Sequence, residues 1–311
     1  MAAICALISV EGTRIEPGLV EAMLRRMTWR ADGPSAAAQG AATAVGICSR
    51  RVVSGDPSER EGVASAHGAS IVGDLRLDNR SSLLERLPPE AEALKSDAEI
   101  VLASYIAHGT SVFDLLRGDF AAVIVDHVAR SAIAIRDCFG TRPLYYTVRS
   151  GLVAFASDPD AFLELPPHRL RPNPQAVARF FLESALDVTD LESTPFDDVF
   201  RVPPSHVLFV GPAGIRKRRY FSFRETPPSE PASTAEVLRS FRQHFDTAVS
   251  RRLHHGRRVG AMLSGGLDSS AIVAVAKGML EKRGERLKTF SILLDDPLVC
   301  GESPWVLPRI A

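Results

Sequence analysis

The chain has little that would tie it to a membrane, an oxidising compartment or a polyanion. Its four cysteines, Cys5, Cys48, Cys138 and Cys300, show no paired spacing, which fits neither a disulfide framework nor a zinc site. Nowhere do 18 apolar residues run uninterrupted, and the opening MAAICALISVEGTR has no basic segment before its short apolar run. Neither a spanning helix nor an export signal is expected. Charge of either sign is not in excess, because 37 basic side chains meet 37 acidic ones, so bulk attraction to nucleic acid or an anionic membrane is excluded. Repeats of fixed period are also absent. The expectation is a cytoplasmic protein whose partners are chosen by local sites.

What is present suffices for two cores: 311 residues, 45% of them hydrophobic. From Ala3 to about Gly211 short apolar runs recur as ICALISV, ASIVGDLRL, FAAVIVD, SAIAIRD, LVAFASD and HVLFV. Bounded by Gly, Asp, Asn and Pro, they predict a sheet-rich domain. Helices are predicted within PGLVEAMLRRM, with Leu19, Met23, Leu24 and Met27 at helical spacing, and within SDAEIVLASYIAHG, opened by Ser and Asp and stopped at Gly109. FSFRETPPSEPASTAE reads as a linker. After it an amphipathic helix is predicted, capped by Ser233 or Thr234, with Val237, Leu238, Phe241, Phe245 and Val249 on its apolar face.

The stretch AMLSGGLDSSAIVAVA, 261–276, holds the densest chemistry. An apolar strand meets a helix through two glycines, several hydroxyls and one acid. Glycines allow close backbone approach, and successive N–H groups at a helix start form a nest for phosphate. Asp268 beside phosphates is favourable when Mg²⁺ bridges them, so the combination points to pyrophosphate plus metal. It is not the GxxxxGK[ST] loop, since no Lys follows the second Gly. The same composition also suits a plain strand-to-helix turn, and that reading stays open on the residues alone.

SGGLDSS after an apolar strand resembles the pyrophosphate loop of the asparagine synthetase family. KTFSILL and CGESPWV resemble the next strand and acidic step of that family. SDAEIVLASYIAHG, LLRGDFAAVIVD, IRDCFGTRPLYY, LVAFASDPDAF and VFRVPPSHVLFV resemble successive blocks of its N-terminal glutamine amidotransferase domain. The resemblance implies an α+β N-terminal domain, an αββα sandwich of the Ntn-hydrolase type, over 1–215, a linker over 216–232, and over 233–311 the start of an α/β pyrophosphate-loop domain. It implies ATP and Mg²⁺ as cofactors, with Leu263, Ser264, Gly265, Gly266, Asp268, Ser269, Ser270 and Ile292 at the nucleotide and Asp268 toward the metal through pyrophosphate. A carboxylate and an amine, small-molecule or peptide, are the implied substrates, and a homodimer is one assembly open to the chain.

The sequence departs from the family where glutamine should be opened. The family's nucleophile is a cysteine at position 2; here Ala2 stands there, and Cys5 sits further along an apolar strand as a small core hydrophobe. The family's NGEIYN becomes DLRLDN, which places Asp74 at an oxyanion position where an ionised carboxylate cannot donate. Asp97 matches the acid that contacts the glutamine α-amine, and Arg50 or Arg51 the carboxylate-binding arginine, with salt-bridged structural roles equally open. Such losses are similar to those of the lasso-peptide cyclase and β-lactam synthetase branches, in which the substrate brings its own amine. An ATP-dependent amide ligase without glutaminase activity follows, against the alternative of a non-catalytic scaffold.

Residues 271–311 are all that follow the loop, and neither an SGEGSDE-like block nor a late catalytic Lys occurs in them. A truncated reading of the synthetase domain is therefore expected. RRLHHGRR, 251–258, reads as a solvated helix end rather than a nucleic-acid patch, and the adjacent His254 and His255 point apart on a helix, which disfavours a metal pair. Glu302 is a weaker echo of the family's acidic step.

Overall fold

The computed structural model describes residues 2–30, 35–49, 62–182, 190–223, 233–253 and 259–292. They divide into two compact units, Met1–Phe223 and Arg224–Ala311.

In the first unit the chain forms β1 (Ala3–Ser9), α1 (Leu19–Arg26), β2 (Ser35–Gln39), β3 (Thr43–Cys48), β4 (Val63–Ala66), β5 (Ala69–Leu77), α2 (Arg80–Leu84) and α3 (Asp97–His108). It continues through β6 (Gly118–Asp126), β7 (Ser131–Arg136), β8 (Tyr145–Arg149), β9 (Leu152–Ala156), α4 (Pro174–Leu182), β10 (Phe200–Arg201), β11 (His206–Gly211) and β12 (Gly214–Arg219). Two six-stranded sheets result, ordered β10-β8-β9-β1-β3-β2 and β12-β11-β7-β6-β5-β4. Every strand pairing in both is antiparallel.

The strand period explains the layering. Side chains alternate between faces, and β1 is apolar on both: Ile4, Ala6 and Ile8 enter the core between the sheets, while Ala3, Cys5 and Leu7 enter a second core beneath α1. On β6, Ala121, Val123 and Val125 face the central core, and Phe120, Ala122 and Ile124 face the core under α3. Two-sided apolar strands need cover on both faces, and α1 and α3 supply the outer cover. The expected αββα sandwich is thus observed. Gly46 on β3 lets α1 seat closely, because a Cβ there would run into the Val20 side chain.

Helix starts follow the sequence signals. In α3, Ser96 and Glu99 form a reciprocal capping box, and the C-cap is Gly109 at φ 62°. The predicted domain break at 215 needs correction. Residues 214–219 are β12, paired in register with β11 from His206↔Arg219 to Gly211↔Gly214, so the first unit runs to Phe223. GIRKRR lacks apolar alternation because β12 is a sheet edge, where cationic side chains discourage further strand pairing.

The second unit holds α5 (Thr234–Ser250), β13 (Gly260–Met262), α6 (Leu267–Glu281) and β14 (Lys288–Phe290). The strands pair in parallel, Gly260↔Lys288 to Met262↔Phe290, as the shared apolar character of VGAML and TFSIL predicts. Ser233 caps α5 in a second capping box with Glu236. Ser233→Ala should lower the stability of this helix by about 1 kcal/mol, seen as lost helical circular dichroism on mild heating. An unchanged melting curve would show that the cap carries nothing. Val249, Leu253, Ala276 and Leu280 make a small core between α5 and α6. The upper face of α5 stays open, with Val237, Leu238 and Phe241 54%, 62% and 65% exposed.

Candidate functional site

The loop 263–266 joins β13 to α6. Leu263 is buried and donates its N–H to the Phe290 carbonyl at 2.8 Å, while Ser291 Oγ donates back to the Leu263 carbonyl at 2.7 Å. The loop is thereby pinned to β14. Gly265 then turns at φ 88°, a left-handed conformation that an L side chain would strain. Gly266 is the N-cap of α6, and no side chain caps the helix there. Ser269 Oγ instead folds back, accepting the Ser264 N–H at 3.2 Å and lying 3.0 Å from Ser264 Oγ. Asp268 is exposed in the first turn of α6, where a carboxylate is favoured by the positive end of the helix dipole. Ser270 Oγ is buried without a hydrogen-bond partner among the described residues. Such an orphaned hydroxyl costs free energy unless a ligand or water completes it.

These features fit a pyrophosphate group. The residues supply an uncapped helix start at the exposed Gly266, a left-handed turn at the buried Gly265 and an unsatisfied hydroxyl, with one carboxylate nearby for a divalent cation. Ile292, also expected near the nucleotide, is 73% exposed just past β14. The Glu302 and CGESPWV expectations lie outside the described residues.

The glutamine side has a different character. Ala2 abuts the core between the sheets, and its backbone N–H lies near enough to the Asp74 carboxylate to favour the ionised form. Asp74, on β5, also faces Arg142 Nη1 at 3.7 Å. Burial is the largest influence on Asp74 and pushes its acid dissociation upward, opposed by Arg142 and by the Ala2 N–H. An acceptor thus stands beside position 2. Asp97, 7% exposed at the start of α3, accepts the Leu77 N–H at 2.8 Å and is bridged by Arg80. Arg80 also donates to the Lys95 carbonyl at 2.9 Å. The structure therefore fills Asp97 with internal partners. Arg50 and Arg51 lie outside the described residues. Cys5 is fully buried; its thiol lies 3.8 Å from the Val20 carbonyl, and burial pushes its pKa far up. It is a core residue, as the apolar run predicts.

Sequence reasoning missed what organises this end of the sandwich. Asp137, 1% exposed, accepts the N–H groups of Phe120, Phe139, Thr141 and Arg142 at 3.3, 3.0, 3.0 and 3.1 Å. Its neighbour Arg136 donates to the carbonyls of Arg142, Gly140 and Val202 at 2.7, 2.7 and 2.8 Å. An anion that gathers N–H groups beside a cation that gathers carbonyls freezes the turn 137–142, and with it the backbone that carries Arg142 toward Asp74. The signal lay in IRDCFGTRP, where charges flank a glycine turn, but no spacing rule reports which backbone groups they meet.

A two-sheet sandwich whose first strand begins at the candidate site, followed by a strand–glycine turn–helix unit, defines an amidotransferase-type domain linked to a synthetase-type one. Residues 1–221 match the glutamine amidotransferase domain family and residues 240–306 the asparagine synthase family. The chain belongs to the asparagine synthetase family, with a glutamine amidotransferase N-terminal domain and a partial synthetase domain. It is 32% identical over 227 residues to asparagine synthetase [glutamine-hydrolyzing] 3 of Bacillus subtilis, covering 72% of this chain and 36% of that protein. It is 30% identical over 208 residues to amidase chry2 of Gibberella zeae, covering 66% and 30%. The chain thus spans about a third of the length of the curated relatives it matches. Among solved structures, a glutamine phosphoribosylpyrophosphate amidotransferase from B. subtilis overlaps 92% of this chain and 65% of its own at 15% identity and a TM-score of 0.48, a level at which no role transfers. Among the described residues no helix is long and apolar enough to cross a membrane.

Proposed function

We propose that the protein is an ATP-dependent amide ligase without glutaminase activity of its own, of the kind in which an amine substrate replaces ammonia. Support comes first from the carboxylate of Asp74, which stands beside the Ala2 backbone and faces Arg142. Where glutamine hydrolysis needs a thiol and an oxyanion donor, this chain has a methyl group and an acceptor. The engagement of Asp97 by Arg80 agrees, since a free substrate ammonium would have to displace a guanidinium from a buried acid.

In the reaction, the carboxylate substrate attacks the α-phosphorus of ATP, giving an acyl-adenylate and pyrophosphate, and the amine then displaces AMP. Bound Mg²⁺ supplies charge neutralisation on the phosphate oxygens. The protein's share is positional: the exposed Gly266 and the first N–H groups of α6 would receive phosphate oxygens, and Asp268, exposed in the first turn of α6, would hold the cation. Leu263 and Ile292 would lie toward the adenine. Its substrates would be a small-molecule or peptide carboxylate and an amine.

Titration calorimetry with Mg-ATP tests the loop. Saturable binding is expected, and Asp268→Asn should weaken it by roughly 1–3 kcal/mol, the size of a lost charge-assisted contact, while binding without Mg²⁺ changes little. Equal metal-dependent affinity in the variant would return 263–270 to a structural turn. A second reading, a non-catalytic scaffold, draws on the exposed α5 face and on Met262, Phe290 and Ile292, which are 62%, 57% and 73% exposed. It predicts nucleotide binding without pyrophosphate release for any amine–carboxylate pair.

A further inference from the structure

The two sheets of the first unit end side by side at their open edges, β2 outermost in one and β4 in the other. Between these edges lies a cleft of about 360 Å³, walled by Gln39 and Gly40 on one side and the 65–70 hairpin on the other, with His127 at its base. That volume is at the lower end of the range for small-ligand pockets, roughly 300–1,000 Å³. No Lys, Arg, Asp or Glu is among its lining residues, and besides Gln39, Ser65, Ser70, His127 and the exposed His67 the walls are alanine and glycine.

A continuous hydrogen-bond chain crosses from one sheet to the other here. Thr43 Oγ1 lies 2.6 Å from His127 Nδ1, His127 Nε2 lies 2.7 Å from Ser70 Oγ, and Ser70 Oγ lies 2.7 Å from Ser65 Oγ. Thr43 and Ser70 are each 1% exposed, whereas Ser65 is exposed at the cleft. The chain has a direction. Among the described residues the buried Thr43 hydroxyl has one partner, Nδ1, and a buried hydroxyl proton left without an acceptor is costly. Thr43 therefore donates to Nδ1, which leaves the ring proton on Nε2 to be donated to Ser70. Ser70 in turn donates to Ser65, whose own proton points outward. Burial holds the His127 imidazolium below the ordinary histidine range, against the nearby Asp126, so the ring is neutral at pH 7. Three donors in series polarise the last one. The cleft ends on a strengthened O–H in an uncharged setting.

We infer that this cleft is a binding site for an uncharged carbonyl acceptor, an amide of the peptide type, received by the Ser65 hydroxyl between the two sheet edges. A carboxylate or phosphate is disfavoured: no Lys or Arg lines the cleft, and the Asp126 carboxylate is close enough to His127 to act on it.

The test is NMR titration of the intact chain with N-acetylglycinamide, with sodium acetate as the anionic comparison. Saturable shifts of the cleft amides are expected for the amide, with acetate binding at least about tenfold more weakly. Ser65→Ala removes the donor from an exposed position without disturbing the core, and Thr43→Val lets the chain reverse so that Ser65 no longer donates outward. Each should weaken the amide about tenfold, the worth of one polarised hydrogen bond. Histidine ¹⁵N shifts, read independently of any ligand, should show His127 as the Nε2–H tautomer. The inference is overturned by an absence of saturable shifts, by unchanged affinity in Ser65→Ala, by acetate binding as well as the amide, or by the Nδ1–H tautomer.

Discussion

Incubated with glutamine, the protein is expected to release no glutamate above buffer background, and Cys5→Ala is expected to change nothing. Removal of a catalytic nucleophile costs on the order of 10⁶-fold, and here the position that would carry it holds Ala2. Cys5 cannot stand in, because its thiol is buried in the core beneath α1 and burial disfavours its thiolate. Ala2→Cys alone should remain nearly silent. The Asp74 carboxylate beside residue 2 opposes a thiolate by charge and offers no proton to an oxyanion. Ala2→Cys with Asp74→Asn restores an amide donor and should exceed the single variant by roughly 10²–10³-fold, the worth of one oxyanion donor. Glutaminase activity in the unaltered chain that Cys5→Ala abolishes would mean that the nucleophile is assigned to the wrong residue.

Asp137→Ala should be the most destabilising single change outside the apolar core. It strands four backbone N–H groups at once and leaves the neighbouring Arg136 without its counter-charge. At roughly 1–3 kcal/mol for each buried donor left unpaired, reduced because water enters the turn, the loss is about 4 kcal/mol. For a unit of this size that lowers the melting temperature by roughly 10 °C. Asp137→Asn keeps one accepting oxygen and should lose about half as much. Denaturant unfolding of the two variants checks the ratio. Equal losses would show that charge rather than acceptor count holds the turn, and a loss under about 1 kcal/mol for Asp137→Ala would remove its organising role.

The elements legible in the sequence are those whose local pattern and tertiary setting agree. ICALISV and FAAVIVD are apolar at every or nearly every position, and both became strands buried on two faces, β1 and β6. The capping boxes at Ser96 and Ser233 fixed two helix starts within a residue. Ser35–Gln39 gave no such signal: its three alanines have weak strand preference, and it is a strand because β3 offers Ala36↔Ile47 and Ala38↔Val45 pairings. Residues 214–219 were equally silent, since an edge strand need not alternate, and the domain limit drawn at 215 fell inside β12 for that reason. Much of the candidate site was legible as chemistry but not as contact. Ala2, Asp74 and Asp97 could be picked out one by one, while the partners that give them meaning, Arg142 and Arg80, come from a distant turn and a helix start.

The sequence by itself determined the periodicities that demand a four-layer sandwich, the absence of a thiol at position 2, and the glycine–hydroxyl–acid order at 264–270. Those are properties of residue type and spacing, which no packing can alter. Tertiary structure alone decided that Asp74 faces Arg142, that Asp97 is taken by Arg80, that Ser270 Oγ is left without a partner among the described residues, and that Thr43, His127, Ser70 and Ser65 form one directed chain. The pairings among these join residues on different elements. The sums of burial and hydrogen bonding that settle such pairings exist only once the sheets have closed on one another.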